Sequence, residues 1–82
     1  MNRKKVEEKF RAIVMDILNI EESELKEGAR FKEDLYADSL DQVDILLDTE
    51  KEFGISIPGE EVMSVVTFGD ALDLITRKTE EQ

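Results

Sequence analysis

The sequence predicts an all-α fold: a small bundle of three main helices plus one short helix, with a long loop between the first and second. Three observations predict it. An apolar stripe at helical spacing runs through residues 3–18. Two start signals, Ser39-x-x-Gln42 and Thr67-x-x-Asp70, each open a further apolar-periodic run. No segment has the length and alternation of a strand; "ISI" at 55–57 is too short and isolated to build a sheet.

In the first helix, Val6, Phe10, Ile13, Val14, Ile17 and Leu18 fall on one stripe, and Asn2 precedes it as an N-cap candidate. Residues 19–38 have no sustained period. Ile20, Leu25, Phe31 and Leu35 are candidate pins for this connection, with a short helical turn near 22–25 and a turn at Gly28. The second helix starts at Ser39, capped by the Ser39/Gln42 pair, and stops at Gly54, a C′ residue. Pro58 leads into a short third helix over about 59–64. The last helix opens at Thr67 and runs to about Arg77, with Phe68, Leu72 and Ile75 as its apolar face and Ala71 and Leu74 flanking.

At 82 residues the chain is expected to be one domain, 1–82, with a single modest core. It has no Cys and no His, which removes disulfides, thiolate metal sites and the commonest general base. The net charge of −10 is uneven: residues 32–61 hold ten acidic and two basic side chains. Such a field repels a phosphate backbone, so nucleic acid is not an expected partner, whereas a protein with a basic patch would be steered toward it. No apolar run reaches the roughly 18 residues of a membrane span, and the basic start "MNRKKVEEKF" has no apolar stretch behind it. The expectation is a soluble, cytoplasmic monomer.

The second helix is too apolar for one packed face. On a wheel its apolar arc spans about 220°, against the roughly 100° that a core-facing surface helix needs. It is either a central helix packed on two sides, or it packs Ile45, Leu46, Thr49 and Phe53 inward and leaves Leu40, Val43 and Leu47 as an exposed strip beside an Asp41/Asp44/Asp48 ridge. An apolar strip rimmed by one sign of charge is a docking surface.

Ser39 is most simply an N-cap worth about 1 kcal/mol. It has no His partner and no Lys within four residues, so a self-activated nucleophile is excluded and no catalytic residue is expected. A helix N-terminus does favour a phosphate, which makes Ser39 a candidate for modification by another enzyme, with Asp38 in electrostatic opposition. Calcium binding through Asp34, Asp38, Asp41 and Asp44 lacks the EF-hand spacing and its central Gly, and no metal site is expected.

"DLYADSLDQVDILLDTEKEFGISIP" at 34–58, followed by "TFGDALDLI" at 67–75, resembles the acyl carrier protein family. The resemblance covers essentially the whole chain. It implies that Ser39 is esterified by 4′-phosphopantetheine from coenzyme A, through a phosphopantetheinyl transferase that reads Asp38 and Leu40. Acyl groups would then ride as thioesters on the borrowed thiol, in fatty-acid or related biosynthesis. It implies that Asp41, Asp44, Asp48 and Glu50 meet basic patches on acyl-processing enzymes, with Leu40, Val43, Leu47 and Ile57 as apolar contacts. It implies an acyl space bordered by Phe31, Ile45, Leu46, Thr49, Phe53, Ile57, Phe68 and Ala71. Tyr36 stands where the family usually has Gly, Thr49 and Asp48 replace residues usually Leu and Ala-like, and Lys51 interrupts the acidic face. A dedicated carrier for one specialised pathway is therefore an alternative. The other is an acidic interaction module in which Ser39 only caps its helix.

Overall fold

The computed structural model describes residues 1–80. It contains α1 (Arg3–Leu18), a 3-10 turn (Glu22–Glu24), α2 (Ser39–Phe53), α3 (Gly59–Val62) and α4 (Phe68–Glu80). Among the described residues there is no β-strand, and no helix is long and apolar enough to cross a membrane. The all-α bundle with one short helix and a long first loop is thus observed. The short helix stops earlier, and the last helix later, than their composition suggests.

α1 begins where the Asn2 side chain accepts the Lys5 N–H at 2.9 Å, and it ends on Asn19, whose φ of 55° is a left-handed conformation that Asn tolerates. Val6, Phe10 and Val14 bury its stripe, and the helix packs against both α2 and α4. Phe10 is the hub of the core. Its ring stacks on Phe68 with centroids 5.4 Å apart and meets Phe31 edge-on at 6.3 Å. The Arg11 guanidinium lies 5.1 Å from the Phe68 ring centre and donates to the Leu25 carbonyl at 2.8 Å, so one side chain covers the core and ties down the loop.

The loop from 19 to 38 is held at both ends of its span. Leu25, Phe31 and Leu35 are buried as anchors, as is Ala37, while Ile20 is half-buried. An antiparallel bridge pairs Arg30 with Thr67: Phe31 N–H donates to the Val66 carbonyl at 3.0 Å and Phe68 N–H to the Ala29 carbonyl at 2.9 Å. Gly69 N–H then donates to the Glu27 carbonyl at 2.8 Å, and a Cβ at Gly69 would sit 2.9 Å from that oxygen. Glycine is needed there because the loop crosses the start of α4 at backbone contact distance. The Thr67/Asp70 capping box forms as its spacing suggests, with Asp70 N–H donating to Thr67 Oγ1 at 3.0 Å and Thr67 N–H to Asp70 Oδ2 at 3.1 Å.

Candidate functional site

The start of α2 is capped one residue earlier than the Ser39/Gln42 pairing anticipates. Asp38 is the N-cap: its Oδ1 accepts the Asp41 N–H at 2.8 Å, and Asp41 Oδ2 accepts the Asp38 N–H at 3.2 Å. A carboxylate is the stronger acceptor at the positive end of a helix, so it displaces the neutral hydroxyl from that role. Gln42 still reaches back, but its Nε2 donates to the Ala37 carbonyl at 3.0 Å. Ser39 is therefore the first helical residue. It is exposed, and among the described residues its hydroxyl makes no hydrogen bond. The N–H groups of Ser39 and Leu40 also lack intrahelical partners, as first-turn donors do. A phosphate ester at Ser39 would sit among these donors, so the residues present fit the group.

Tyr36 leads into this turn with φ 58° and a ring that is 83 % exposed. Its neighbours Leu35 and Ala37 are both buried, and Leu35 N–H and Ala37 N–H donate to the Arg30 and Phe31 carbonyls at 3.0 and 2.9 Å. The positive φ at position 36 lets both neighbours point inward. Arg30 closes the base of the turn on Asp34 with contacts of 2.9–3.0 Å, which hold the Asp34 carboxyl below its ordinary range. Asp34 is thus committed to Arg30, and among the described residues no group of three potential ligands forms a metal cluster.

Past Ser39, α2 presents two faces. Ile45, Thr49 and Phe53 are buried and Leu46 is half-buried, whereas Leu40 (76 % exposed), Val43 and Leu47 face outward. The helix is not packed on two sides. Asp44 and Asp48 are exposed beside the strip, and Asp41 is half-buried in the cap. Two of the anticipated docking residues turn inward instead. Glu50 Oε2 accepts the Ile57 N–H at 2.7 Å and so braces the exit from α2. Ile57 is buried, which places it in the interior and removes it from the outer strip. Gly54, in the left-handed region at φ 63°, makes that exit possible.

Behind the strip lies a cavity of about 80 Å³ between α2, α3 and α4. Phe31, Ile45, Leu46, Thr49, Ile57 and Ala71, six of the residues anticipated around an acyl space, line it. Phe53 and Phe68 do not: Phe53 sits a turn further along α2 in the core, and Phe68 is fully enclosed by its stack on Phe10 under Arg11. Their places are taken by Phe10, Gln42, Val62, Val65, Leu74 and Ile75. Positions 42, 45, 46 and 49 form one helical stripe, so Gln42 shares the cavity face even though its Nε2 reaches back to the helix start.

Residues 8–75 match the family described as phosphopantetheine attachment site. The chain is 46 % identical over 72 residues to an acyl carrier protein from Porphyromonas gingivalis, covering 88 % of this chain and 92 % of that one. It is 44 % identical over 78 residues to an acyl carrier protein from Thermosynechococcus vestitus, covering 95 % and 96 %. The solved structure of the acyl carrier protein from Enterococcus faecalis superposes with a TM-score of 0.81 at 32 % identity, covering 95 % of this chain and 99 % of that one.

Proposed function

Because the chain belongs to the acyl carrier protein family, whose covalent prosthetic group is 4′-phosphopantetheine, we propose that Ser39 is the residue that carries that group here. The observation that carries the assignment is the capping of α2 by Asp38, which leaves the Ser39 hydroxyl exposed and unbonded. When attached, the group supplies the thiol that holds acyl intermediates as thioesters, chemistry that a chain without Cys cannot supply itself. The protein's own residues present and shelter the cargo rather than transform it, so the chain is a carrier and no catalyst.

Asp38 and Leu40 flank Ser39 on the exposed surface that a phosphopantetheinyl transferase must approach. The acid Asp38 repels an incoming phosphate, and the transferase offsets this with a divalent cation or basic side chains. Leu40, Val43 and Leu47, with Asp44 and Asp48 alongside, form the docking strip for acyl-processing enzymes with basic patches, and charge steers the encounter. The cavity behind α2 is the acyl space. The setting is cytoplasmic fatty-acid or related acyl biosynthesis, with 1–82 acting as one carrier unit and as a monomer.

Incubation of the apo-protein with coenzyme A, Mg²⁺ and a broad-specificity phosphopantetheinyl transferase tests the assignment. The intact mass rises by one phosphopantetheine, and Ser39→Ala shows no change. A wild-type chain left unmodified while a control carrier is loaded sinks the proposal.

A further inference from the structure

Thr49 is 2 % exposed, lines the cavity, and among the described residues its Oγ1 has no hydrogen-bond partner. A helical Thr ordinarily bonds back to the carbonyl four residues earlier, and buried hydroxyls are rarely left unpaired. Among the described residues, two other buried side-chain oxygens, on Glu61 and Thr76, lack hydrogen bonds. Glu61 Oε2 is 2.8 Å from Lys78 Nζ in an ion pair, and Thr76 does not line the cavity. Phe31, Ile45, Leu46, Ala71 and Ile75 offer the cavity no polar atom beyond the backbone, and the one other polar side chain in its wall, Gln42, lies about two helical turns before Thr49 with its Nε2 donating to the Ala37 carbonyl. An unsatisfied donor and acceptor therefore sits at a largely apolar space of about 80 Å³, several times the roughly 10–15 Å³ that one water needs.

We propose that Thr49 selects acyl cargo bearing a hydroxyl or carbonyl oxygen on the segment that enters the cavity, in preference to a saturated chain of the same length. This rests on the carrier function proposed above. Thr Oγ1 can donate to a keto oxygen and can donate to or accept from a hydroxyl, so both classes pair with it. A saturated chain fills the same space and leaves the hydroxyl orphaned in hydrocarbon. Discrimination then comes from a polar group that one cargo satisfies and the other cannot.

The test loads wild type, Thr49→Val and Thr49→Ser from the corresponding acyl-coenzyme A with hexanoyl, 3-hydroxyhexanoyl, 3-oxohexanoyl and 5-hydroxyhexanoyl groups. Mass spectrometry confirms loading, and thermal melts and methyl NMR shifts read the result. At least one oxygenated cargo raises the melting temperature of wild type above hexanoyl, by about 4–8 °C for one hydrogen bond in a domain of this size. Thr49→Val, of nearly the same shape, reverses the order, and Thr49→Ser keeps it. Equal melting temperatures for all four cargoes in wild type, as expected if only a water satisfies Thr49, overturn the proposal. So does a preference that survives in Thr49→Val. A chain that takes up no acyl-phosphopantetheine at all overturns the carrier assignment as well, so the two failures are distinct.

Discussion

Replacing Tyr36 by Gly should stabilise the protein, although it deletes its only Tyr. At φ 58° a residue with a Cβ crowds its own carbonyl, at a cost of about 1–2 kcal/mol that Gly does not bear. The ring is 83 % exposed, so its removal forfeits little burial. Glycine's greater freedom in the unfolded chain takes back about 0.4–1 kcal/mol. The net expectation is a gain of about 0.5–1 kcal/mol, or a rise in melting temperature of about 2–8 °C. Tyr36→Ala is the control, because it removes the ring and keeps the Cβ; it should stay within about 0.5 kcal/mol of wild type. Guanidinium melts followed by circular dichroism separate the three proteins, with the midpoint moving and the slope unchanged. If the Gly and Ala variants melt together, backbone strain at position 36 is not what the side chain costs, and the reasoning fails.

Gly69→Ala should destabilise by about 1–3 kcal/mol, since its methyl would sit 2.9 Å from the Glu27 carbonyl oxygen; unchanged stability would show that the loop yields freely. Asp70 accepts from the Thr67 and Val66 N–H groups, which holds its pKa below the ordinary value of 3.8 in the folded state. Its contribution is therefore complete above about pH 4 and is lost as pH falls toward the depressed value, so acid titration of Asp70→Asn should be flatter than wild type in that window alone. Raising ionic strength from about 0.01 to 0.15 M, or adding Mg²⁺, should raise the melting temperature by relieving repulsion in the 32–61 segment; a flat response contradicts this.

The helices were legible because each carries its signals locally. The Val6/Phe10/Val14 stripe, the left-handed stop at Gly54 and the Thr67/Asp70 box all act within a turn or two of chain. The loop was not, because what fixes it comes from about 40 residues away. Nothing near Glu27 announces that Gly69 will donate to its carbonyl, and nothing near Arg30 announces Thr67. The cavity falls between these cases. The α2 stripe supplied Ile45, Leu46 and Thr49, but which aromatic lines the space depends on how three helices meet. The stacking of Phe68 on Phe10 takes Phe68 out and leaves Phe10 in.

The cap of α2 shows why the site itself was only half legible. Asp38 and Ser39 are adjacent, both can cap, and each has a partner three residues on, Asp41 or Gln42. Spacing alone does not choose between them. The helix field does, since it favours the carboxylate. That choice bears on function in a way the local pattern hides. Had Ser39 been the cap, its oxygen would be bound to the backbone, and modification would have to break the bond that starts the helix. With Asp38 as the cap, the helix start is secured by one side chain and an exposed hydroxyl is carried by the next, so a group at Ser39 would leave the start of α2 and its exposed apolar strip undisturbed.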